Sequence, residues 1–178
     1  MIPSIIIIVP YRDRLKELEN FKIKMKKYMD ENIHFENYKI FFIHQNDKRP
    51  FNRGAIKNIG FLYVKKKYPL DYDNITLIFH DIDNMPWKKS QFSYETKLGE
   101  VNHFYGFTHT LGGILAIKGR DFELINGFPN IWTWGLEDNI LKKRCDKNNI
   151  IIKRDEFIDL KKNSHDMINL WHGVERFI

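Results

Sequence analysis

The sequence predicts an α/β fold with a central, mainly parallel sheet flanked by helices. Three short apolar segments, at residues 5–9, 38–44 and 75–79, have the β-branched and aromatic composition of strands. Two segments with apolar residues at helical spacing, 13–30 and 53–68, separate these strands along the chain. A β-α-β-α-β order implies right-handed crossovers and parallel strands, and ligands bind such a sheet at the carboxyl ends of its strands.

Each predicted element has its own local signal. The first strand is an uninterrupted apolar run ended by Pro10, which is typical of a strand buried on both faces. Asn52 is a suitable cap for the second helix, whose predicted apolar face carries Ile56, Ile59 and Tyr63. The second half is less regular, with a polar stretch at 84–100, an apolar run at 114–117 and a predicted helix at 137–147.

The composition is that of one globular domain spanning residues 1–178. With 43% hydrophobic and 29% charged residues, 10 Gly and 6 Pro, the chain is neither disordered nor collagen-like. Cys145 is the single cysteine, so neither an internal disulfide nor a cysteine-based zinc site is available. A reducing compartment is therefore expected.

The net charge of +6 favours phosphates, nucleic acid or an anionic membrane surface by long-range attraction, unless the lysines are simply solvated. The longest apolar run, residues 5–10, is far shorter than the roughly 20 residues that a membrane span requires. It also lacks the charged flank and the cleavage site of a signal peptide. These features predict a soluble, cytoplasmic protein without a membrane span.

Two carboxylates, Asp81 and Asp83, directly follow the third predicted strand. At such a position one carboxylate can bind a hard divalent cation, which in turn bridges a nucleotide diphosphate, while the other orders the site. The same pattern also occurs in acidic surface turns, but the strand context favours the metal site. His165 is either a further metal ligand or an exposed or structural histidine.

Arginines lie where the first two strands lead into helices. Arg12, Arg14 and Arg53 occupy these junctions, where guanidinium groups and helix N-terminal amides both favour phosphate. Taken singly, they would be ordinary surface arginines. The nearby Tyr11 and Phe51 either stack on a base or pack in the core.

The segment 132–138 combines two indoles and a glycine with the carboxylates Glu137 and Asp138. Indole faces suit a sugar ring, and a carboxylate can act as general base toward a hydroxyl group. The alternative is an acidic first turn that complements the helix dipole. Gly112 and Gly113 either permit a close approach to a ligand or form a turn.

Together these segments resemble the β-1,4-galactosyltransferase family and the related N-acetylgalactosaminyltransferases. They appear in the family's order and cover nearly the whole chain, from Ile5 to about Phe177. The matching stretches are Val9-Pro10-Tyr11-Arg12-Asp13-Arg14, Phe51-Asn52-Arg53-Gly54-Ala55 with Asn58-Ile59-Gly60-Phe61, Phe79-His80-Asp81-Ile82-Asp83-Asn84-Met85-Pro86, Gly112-Gly113, Ile125-Asn126-Gly127-Phe128-Pro129-Asn130 and Trp132 to Asp138.

The resemblance implies a GT-A fold, which is a Rossmann-like nucleotide-binding architecture. It also implies a UDP-sugar donor, a manganese ion, a glycan or glycoside acceptor and inversion at the anomeric carbon. For each matching residue the resemblance implies a role, and each role is a prediction. Six residues resemble the family's uridine and phosphate segment: Pro10, Tyr11, Arg12, Arg14, Phe51 and Arg53. Asp81 and Gly113 resemble the remaining donor contacts, and Asp83 and His165 resemble the manganese ligands. Trp134 resembles the mobile-loop tryptophan, Glu137 and Asp138 resemble the acceptor-binding pair, and Arg176-Phe177 resembles a pocket for an acceptor N-acetyl group.

Four positions depart from the family's pattern. Thr133 and Leu136 stand where the family usually has glycine, which implies a stiffer loop. Asn139 replaces a usual aspartate, and Lys162 stands about where the family often has a methionine metal ligand. The family's disulfides, stem and membrane anchor have no counterpart in the sequence, which favours a soluble enzyme of viral or bacterial origin.

The sequence therefore predicts a metal-dependent, inverting glycosyltransferase with Asp138 as the general base. By the resemblance, Thr110 lies beside C2 of the donor sugar, and its small side chain predicts that N-acetylgalactosamine is admitted as well as galactose. One alternative is a retaining N-acetylgalactosaminyltransferase-like reaction, which differs in the anomeric configuration of the product. Another is a basic nucleic-acid-binding domain with strongly salt-dependent affinity, although no nucleic-acid partner is expected.

Overall fold

The structure, a computed structural model, describes residues 1–31, 37–86, 92–132, 135–161 and 167–169. Of the helices in these ranges, none combines the length and the hydropathy that a bilayer crossing needs. In chain order the elements are β1 (Ile5–Tyr11), α1 (Leu15–Glu31), β2 (Tyr38–His44), α2 (Arg53–Lys67), β3 (Thr76–His80), β4 (Asn84–Pro86), β5 (Glu100–Gly106), β6 (Ile114–Lys118), α3 (Gly119–Leu124), α4 (Glu137–Lys147), β7 (Ile151–Lys153), β8 (Ile158–Asp159) and β9 (Met167–Asn169).

A seven-stranded sheet lies at the centre, in the order β2-β1-β3-β6-β5-β7, with β8 also paired to β5. β1 runs parallel to β2 and β3, and β5 runs parallel to β7 and β8. β6 lies between these two groups and is antiparallel to both β3 and β5. All the strands of this sheet except β6 therefore share one direction, and the prediction of a mainly parallel α/β sheet is confirmed.

Both faces of the sheet are covered by helices. In β1, Ile5 and Ile7 contribute to the core cluster that includes the buried side of α1. Ile6 and Ile8 contribute to the opposite cluster, which includes side chains of α2, α3 and α4. This alternation is the two-residue period of a strand, and it explains why an unbroken apolar run is needed here.

β1 continues beyond its expected end. Pro10 and Tyr11 still pair with Ile43 and His44 of β2, whereas the pairing of β1 with β3 ends at Ile8. A proline cannot donate a ladder hydrogen bond, and it is tolerated here because β1 has a neighbour on one side and no longer on both. The predicted strand, residues 5–9, therefore ends two residues too early.

α2 turns a different face to the core than the sequence predicted. Ile56 is buried as expected, but Ile59 and Tyr63 are 50% and 45% exposed. Their places in the core are taken by Phe61 and Val64. The prediction was wrong because α2 carries apolar residues on more than one side, so that their spacing did not single out the buried face.

The start of α2 is fixed by asparagine side chains. As predicted, Asn52 caps the helix, and its side chain accepts a hydrogen bond from the backbone N–H of Ala55 at 2.9 Å. Asn58 donates to the carbonyl of Phe128 and accepts from the N–H of the same residue, both at 2.9 Å. These bonds tie the first turns of α2 to the loop that precedes α4.

Six of the described elements were not predicted, namely β4, β5, α3, β7, β8 and β9. β5 has a register shift between His103 and Tyr105, so its side chains do not follow a simple alternation. α3 is a helix of 6 residues, too short for a helical period to be visible in the sequence. The helix predicted at 137–147, by contrast, is observed as α4.

We expect Phe61→Ala to lower the free energy of unfolding by about 3–5 kcal/mol. Phe61 is 6% exposed, and its ring packs 5.1 Å from that of Phe122 and 6.0 Å from that of Tyr72. Ile59→Ala, the control on the same helix, should cost under about 0.5 kcal/mol because Ile59 is exposed. Urea unfolding of both variants gives the comparison, and equal losses would contradict the observed helix orientation.

Candidate functional site

Four chain segments meet at the carboxyl end of β3. They are the first turns of α2, the acidic turn after β3, the glycine pair before β6 and the first turn of α4. The backbone N–H of Asp81 donates to the carbonyl of Gly113 at 3.3 Å, and that of Leu111 donates to the carbonyl of Asp138 at 3.1 Å. The sheet edge predicted from the strand order is thus where the predicted acidic and glycine residues come together.

Arg53 is the centre of this site. Its Nε donates to Oδ1 of Asp81 at 2.9 Å and its Nη2 to Oδ2 at 2.6 Å, which is a bidentate ion pair. Its Nη1 donates to Oε1 of Glu137 at 2.5 Å and to Oδ2 of Asp138 at 2.8 Å. One guanidinium group therefore joins the turn after β3 to the start of α4.

Lys57 is a second cation in the same network. Its side chain is completely buried, and Nζ lies 3.2 Å from Oδ1 of Asp81. The sequence analysis missed it, because a lysine in a helix is ordinarily solvated. The available signal was its position four residues after Arg53, since residues at that spacing lie on the same face of a helix.

The groups of this network control each other's ionisation. Burial disfavours the charged form of Asp81, but Arg53 and Lys57 outweigh it and hold the pKa of Asp81 below its usual value. Burial also opposes the charge on Arg53, and the carboxylates of Asp138, Asp81 and Glu137 raise its pKa above the ordinary value. The bidentate pair is therefore ionised at neutral pH.

Gly112 and Gly113 allow the backbone before β6 to pack tightly against its neighbours. A Cβ atom on Gly112 would lie 2.2 Å from Oδ2 of Asp138, so any side chain here would displace that carboxylate. Gly113 has a φ of +73°, and a Cβ on it would lie 2.3 Å from the carbonyl oxygen of Tyr105. Close packing against Asp138 and Tyr105, and the positive φ of Gly113, therefore explain the two glycines, and a close approach to a ligand stays a prediction.

Asp138 is held by one carboxylate oxygen. Oδ2 accepts from Arg53, whereas Oδ1 is buried and has no hydrogen-bond partner among the described residues. Burial raises the pKa of Asp138, and Arg53 and Lys57 oppose this shift. A buried polar atom of this kind is normally matched by water or by a ligand. Helix α4 begins after Leu136, which makes no side-chain capping bond.

Asp83 interacts electrostatically with Asp81 and Arg53 of this network. Burial, together with the charge of Asp81, raises the pKa of Asp83 to about 6, and the positive charges of Arg53 and Arg14 oppose this shift. One oxygen of Asp83 accepts a hydrogen bond from the side chain of Asn84 at 2.9 Å. In the described ranges, no three His, Cys, Asp or Glu side chains are grouped in a way that could hold a metal ion.

The residues expected to bind the nucleotide surround the end of β1. Pro10 and Tyr11 close the strand, and the ring of Tyr11 stacks on His44 at 4.6 Å. Arg12 donates to the carboxylate of Asp13 at 3.1 Å and to the carbonyl of Arg49. The side chain of Arg14 lies 4.0 Å from that of Glu17. Phe51 is half-buried, just before the cap of α2.

The aromatic segment before α4 is partly described. Trp132 is 39% exposed and lies under the guanidinium group of Arg49, at 3.9 Å. Leu136 has a φ of +68°, a left-handed conformation that is unusual for leucine. Several expectations fall on residues outside the described ranges, namely Thr133, Trp134, Lys162, His165, Arg176 and Phe177.

His103 and Arg154 hold the loop between β5 and β6. Nε2 of His103 lies 2.9 Å from the carbonyl oxygen of Gly112, and Nδ1 lies 3.2 Å from Nε of Arg154. The Nη2 atom of Arg154 donates to the carbonyls of Thr108 at 2.8 Å and Thr110 at 3.3 Å. We call these hydrogen bonds of His103 and Arg154 the staple. The staple holds the backbone of Thr110, the residue expected to face the donor sugar.

Comparison with known families assigns the chain. A profile of the N-terminal region of glycosyl transferase group 7 matches residues 2–95, and a profile of the N-terminal domain of galactosyltransferase matches residues 94–168. The chain belongs to the β-1,4-galactosyltransferase family. The family expected from the sequence motifs is therefore confirmed.

Relatives in this galactosyltransferase family are longer than the chain. Human beta-1,4-galactosyltransferase 5 is 30% identical over 163 residues, which cover 86% of this chain and 40% of that protein. The xylosylprotein 4-beta-galactosyltransferase of Caenorhabditis elegans is 29% identical over 181 residues, which cover 96% of this chain and 59% of that protein. The chain thus spans between 40% and 59% of the length of these curated relatives.

Solved galactosyltransferase structures share the fold. The catalytic domain of Drosophila β1,4-galactosyltransferase 7 in complex with xylobiose has a TM-score of 0.79 at 27% identity, covering 96% of this chain and 72% of that one. A mutant of the same enzyme in complex with manganese, UDP-Gal and xylobiose has a TM-score of 0.77 at 26% identity, covering 97% and 72%. The expected GT-A fold is confirmed.

Acidification is expected to destabilise the protein through His103. Burial lowers the pKa of His103 from 6.5 to about 4, so the folded state binds this proton less readily than the unfolded chain. The stabilisation is complete above the unfolded pKa and is lost as the pH falls toward 4, which amounts to on the order of 3 kcal/mol.

His103→Gln should therefore show a shallower loss of unfolding free energy between pH 7 and pH 4 than the wild type. Urea unfolding at several pH values measures the slope. The exposed His109 provides the control, since His109→Gln should keep the wild-type slope. Parallel curves for the wild type and His103→Gln would show that this histidine does not titrate with folding.

Proposed function

We propose that this galactosyltransferase family member is a metal-dependent, inverting glycosyltransferase. It transfers a hexose from a UDP-sugar to a hydroxyl group of a glycan or glycoside acceptor. The observation that carries the proposal is the unpartnered Oδ1 of Asp138, a buried carboxylate oxygen held in place by Arg53 through its other oxygen. The solved relative that binds manganese, UDP-Gal and xylobiose supports the same substrate classes.

The donor occupies the carboxyl edge of the sheet. Arg12, Arg14 and Phe51 flank this edge at the ends of β1 and β2, where a uridine ring and a diphosphate find an aromatic side chain and guanidinium groups. Asp81 and Gly113 complete the donor side. Their backbone hydrogen bond joins the turn after β3 to the glycine pair.

A manganese ion fits the chemistry of the site. Asp83 is a half-buried carboxylate whose pKa is raised first by burial and then by the negative charge of Asp81, which a cation would offset. Asp83 and His165 would hold the ion, since manganese accepts carboxylate, imidazole and phosphate ligands together. β9 begins two residues after His165 and pairs with β4, which begins directly after Asp83. When bound, the ion acts as a Lewis acid that offsets the charge on the departing diphosphate.

Asp138 is the general base. Its Oδ1 takes the proton of the acceptor hydroxyl group while the hydroxyl oxygen forms a bond to the anomeric carbon of the donor sugar. The bond between that carbon and the diphosphate oxygen breaks, and UDP leaves from the opposite face. The configuration is inverted, and no covalent intermediate with the enzyme is formed. Arg53 occupies Oδ2, which leaves Oδ1 available for the acceptor proton.

Thr110 governs the choice of donor. Its side chain is small and lies buried in the loop stapled by Arg154. A pocket that discriminates by bulk loses its discrimination when the bulk is absent. The donor is therefore UDP-galactose or UDP-N-acetylgalactosamine, with comparable use of the two.

Asp83→Ala should abolish manganese-dependent binding of UDP-galactose, because it removes a carboxylate ligand of the ion. Calorimetric titration with and without manganese measures this directly. Asp155→Ala, which removes an exposed carboxylate elsewhere, should bind the donor as the wild type does. Unchanged manganese dependence in Asp83→Ala would disprove the assignment.

Asp138→Asn should keep donor binding and lower kcat by on the order of 10²–10⁴-fold, the range for losing a general base. Asp146→Asn, on the exposed side of the same helix, is the matched control and should turn over normally. The anomeric configuration of the wild-type product is determined by NMR in the same experiment. Near-normal turnover by Asp138→Asn, or a product with retained configuration, would refute the mechanism.

A further inference from the structure

Lys57 has an unusual environment for a lysine. Its side chain has no exposed surface, and Nζ lies 4.9 Å from the ring centre of Phe128. Its polar contact is the ion pair with Oδ1 of Asp81 at 3.2 Å. Apart from this carboxylate, the ammonium group has no polar partner among the described residues.

Stability gives a weak reason for this arrangement. Removing a charge from water carries a large desolvation penalty, and buried ion pairs can often be replaced by apolar residues without loss of stability. An apolar side chain would also suit a pocket closed by Phe128. The charge of Lys57 is therefore better explained by its effect on the site.

Lys57 and Arg53 hold the same oxygen of Asp81 from two directions. Nε of Arg53 lies 2.9 Å from Oδ1 and Nζ of Lys57 lies 3.2 Å from it. Without Lys57, Oδ1 of Asp81 keeps only Arg53 as a cationic partner, so the carboxylate and the guanidinium group bound to it are less firmly fixed. Any movement of this pair moves Nη1 of Arg53, which donates to Oδ2 of Asp138 at 2.8 Å.

Lys57 also balances the charge of the network. Arg53 is shared by the carboxylates of Asp81, Glu137 and Asp138. A single cation would leave these groups with a surplus of negative charge, and the carboxylates would repel each other and move apart. A second buried cation beside Asp81 reduces this repulsion.

We propose that Lys57 is a positioning residue for sugar transfer: through Asp81 it fixes Arg53 in the orientation that leaves Oδ1 of Asp138 free for the acceptor hydroxyl group. This inference rests on the proposed function. The effect is on the rate of transfer, because the side chain of Lys57 has no exposed surface for a donor or an acceptor to contact. A 1 Å displacement of reacting groups can cost as much as roughly 100-fold in rate.

The test compares Lys57→Met with the wild type and with Lys66→Met, an exposed lysine of the same helix. We expect Lys57→Met to lower kcat by about 10- to 100-fold and to change the KM for UDP-sugar far less, because the orientation of Arg53 toward Asp138 is lost while the backbone bond of Asp81 to Gly113 on the donor side is kept. Its melting temperature should fall, because Asp81 stays buried and keeps only Arg53 as a cationic partner, so kcat is measured at a temperature at which all the variants are folded. Lys66→Met should match the wild type in all three quantities.

A double-mutant cycle checks the route of the effect. Because Lys57 acts through Asp81, adding Lys57→Met to Asp81→Asn should lower kcat far less than it does in the wild-type background. Equal losses in the two backgrounds would place the effect elsewhere and overturn the inference. So would a wild-type kcat in Lys57→Met, or a kcat that falls only in step with the melting temperature.

Lys57→Gln serves as a second neutral variant with the same expected outcome. If neither variant folds, the charge is required for the fold and the positioning role is disproved. A wild-type protein that transfers no sugar from any UDP-sugar would refute the proposed function, and this inference with it. A normal kcat in Lys57→Met refutes this inference and leaves the proposed function standing.

Discussion

The site depends on one ion-pair network, in which Arg53 joins parts of the chain that are far apart in sequence. Its partners lie 28, 84 and 85 residues away, at Asp81, Glu137 and Asp138. Charge-assisted hydrogen bonds of this kind are strong when both partners are shielded from water, and removing one partner leaves the others buried and unpaired. The fold brings the cap of α2, the end of β3 and the start of α4 together, and the network then fixes their relative orientation.

The architecture around this network could be read from the sequence where local signals are strong. β1, β2 and β3 are apolar runs, and their order with two helices dictates a parallel sheet whose carboxyl edge collects Asp81, Arg53 and the residues after β1. The start of α2 was predicted from Asn52, and α4 was placed from its acidic start. These features depend on short stretches of chain, so a single sequence contains them.

The features that the sequence did not reveal depend on contacts across the fold. The bulge in β5 hides the alternation of that strand, and the buried face of α2 is decided by what it packs against. Lys57 looks like a solvated lysine until Asp81 and Phe128 are placed around it. The staple formed by His103 and Arg154 likewise joins residues 51 apart in the sequence, and neither belongs to a recognisable motif.

The left-handed backbone of Leu136 has a consequence for how the two carboxylates of α4 are presented. A non-glycine residue in this conformation costs roughly 1–2 kcal/mol, and no capping side chain compensates at this helix start. The geometry is therefore imposed by the bonds of Glu137 and Asp138 to Arg53 and by the contact of Asp138 with Gly112. In a peptide corresponding to α4 alone, we expect the residue before the helix to adopt an ordinary conformation and the carboxylates of Glu137 and Asp138 to point in other directions. The acidic half of the site therefore depends on the contacts that the rest of the fold makes with α4.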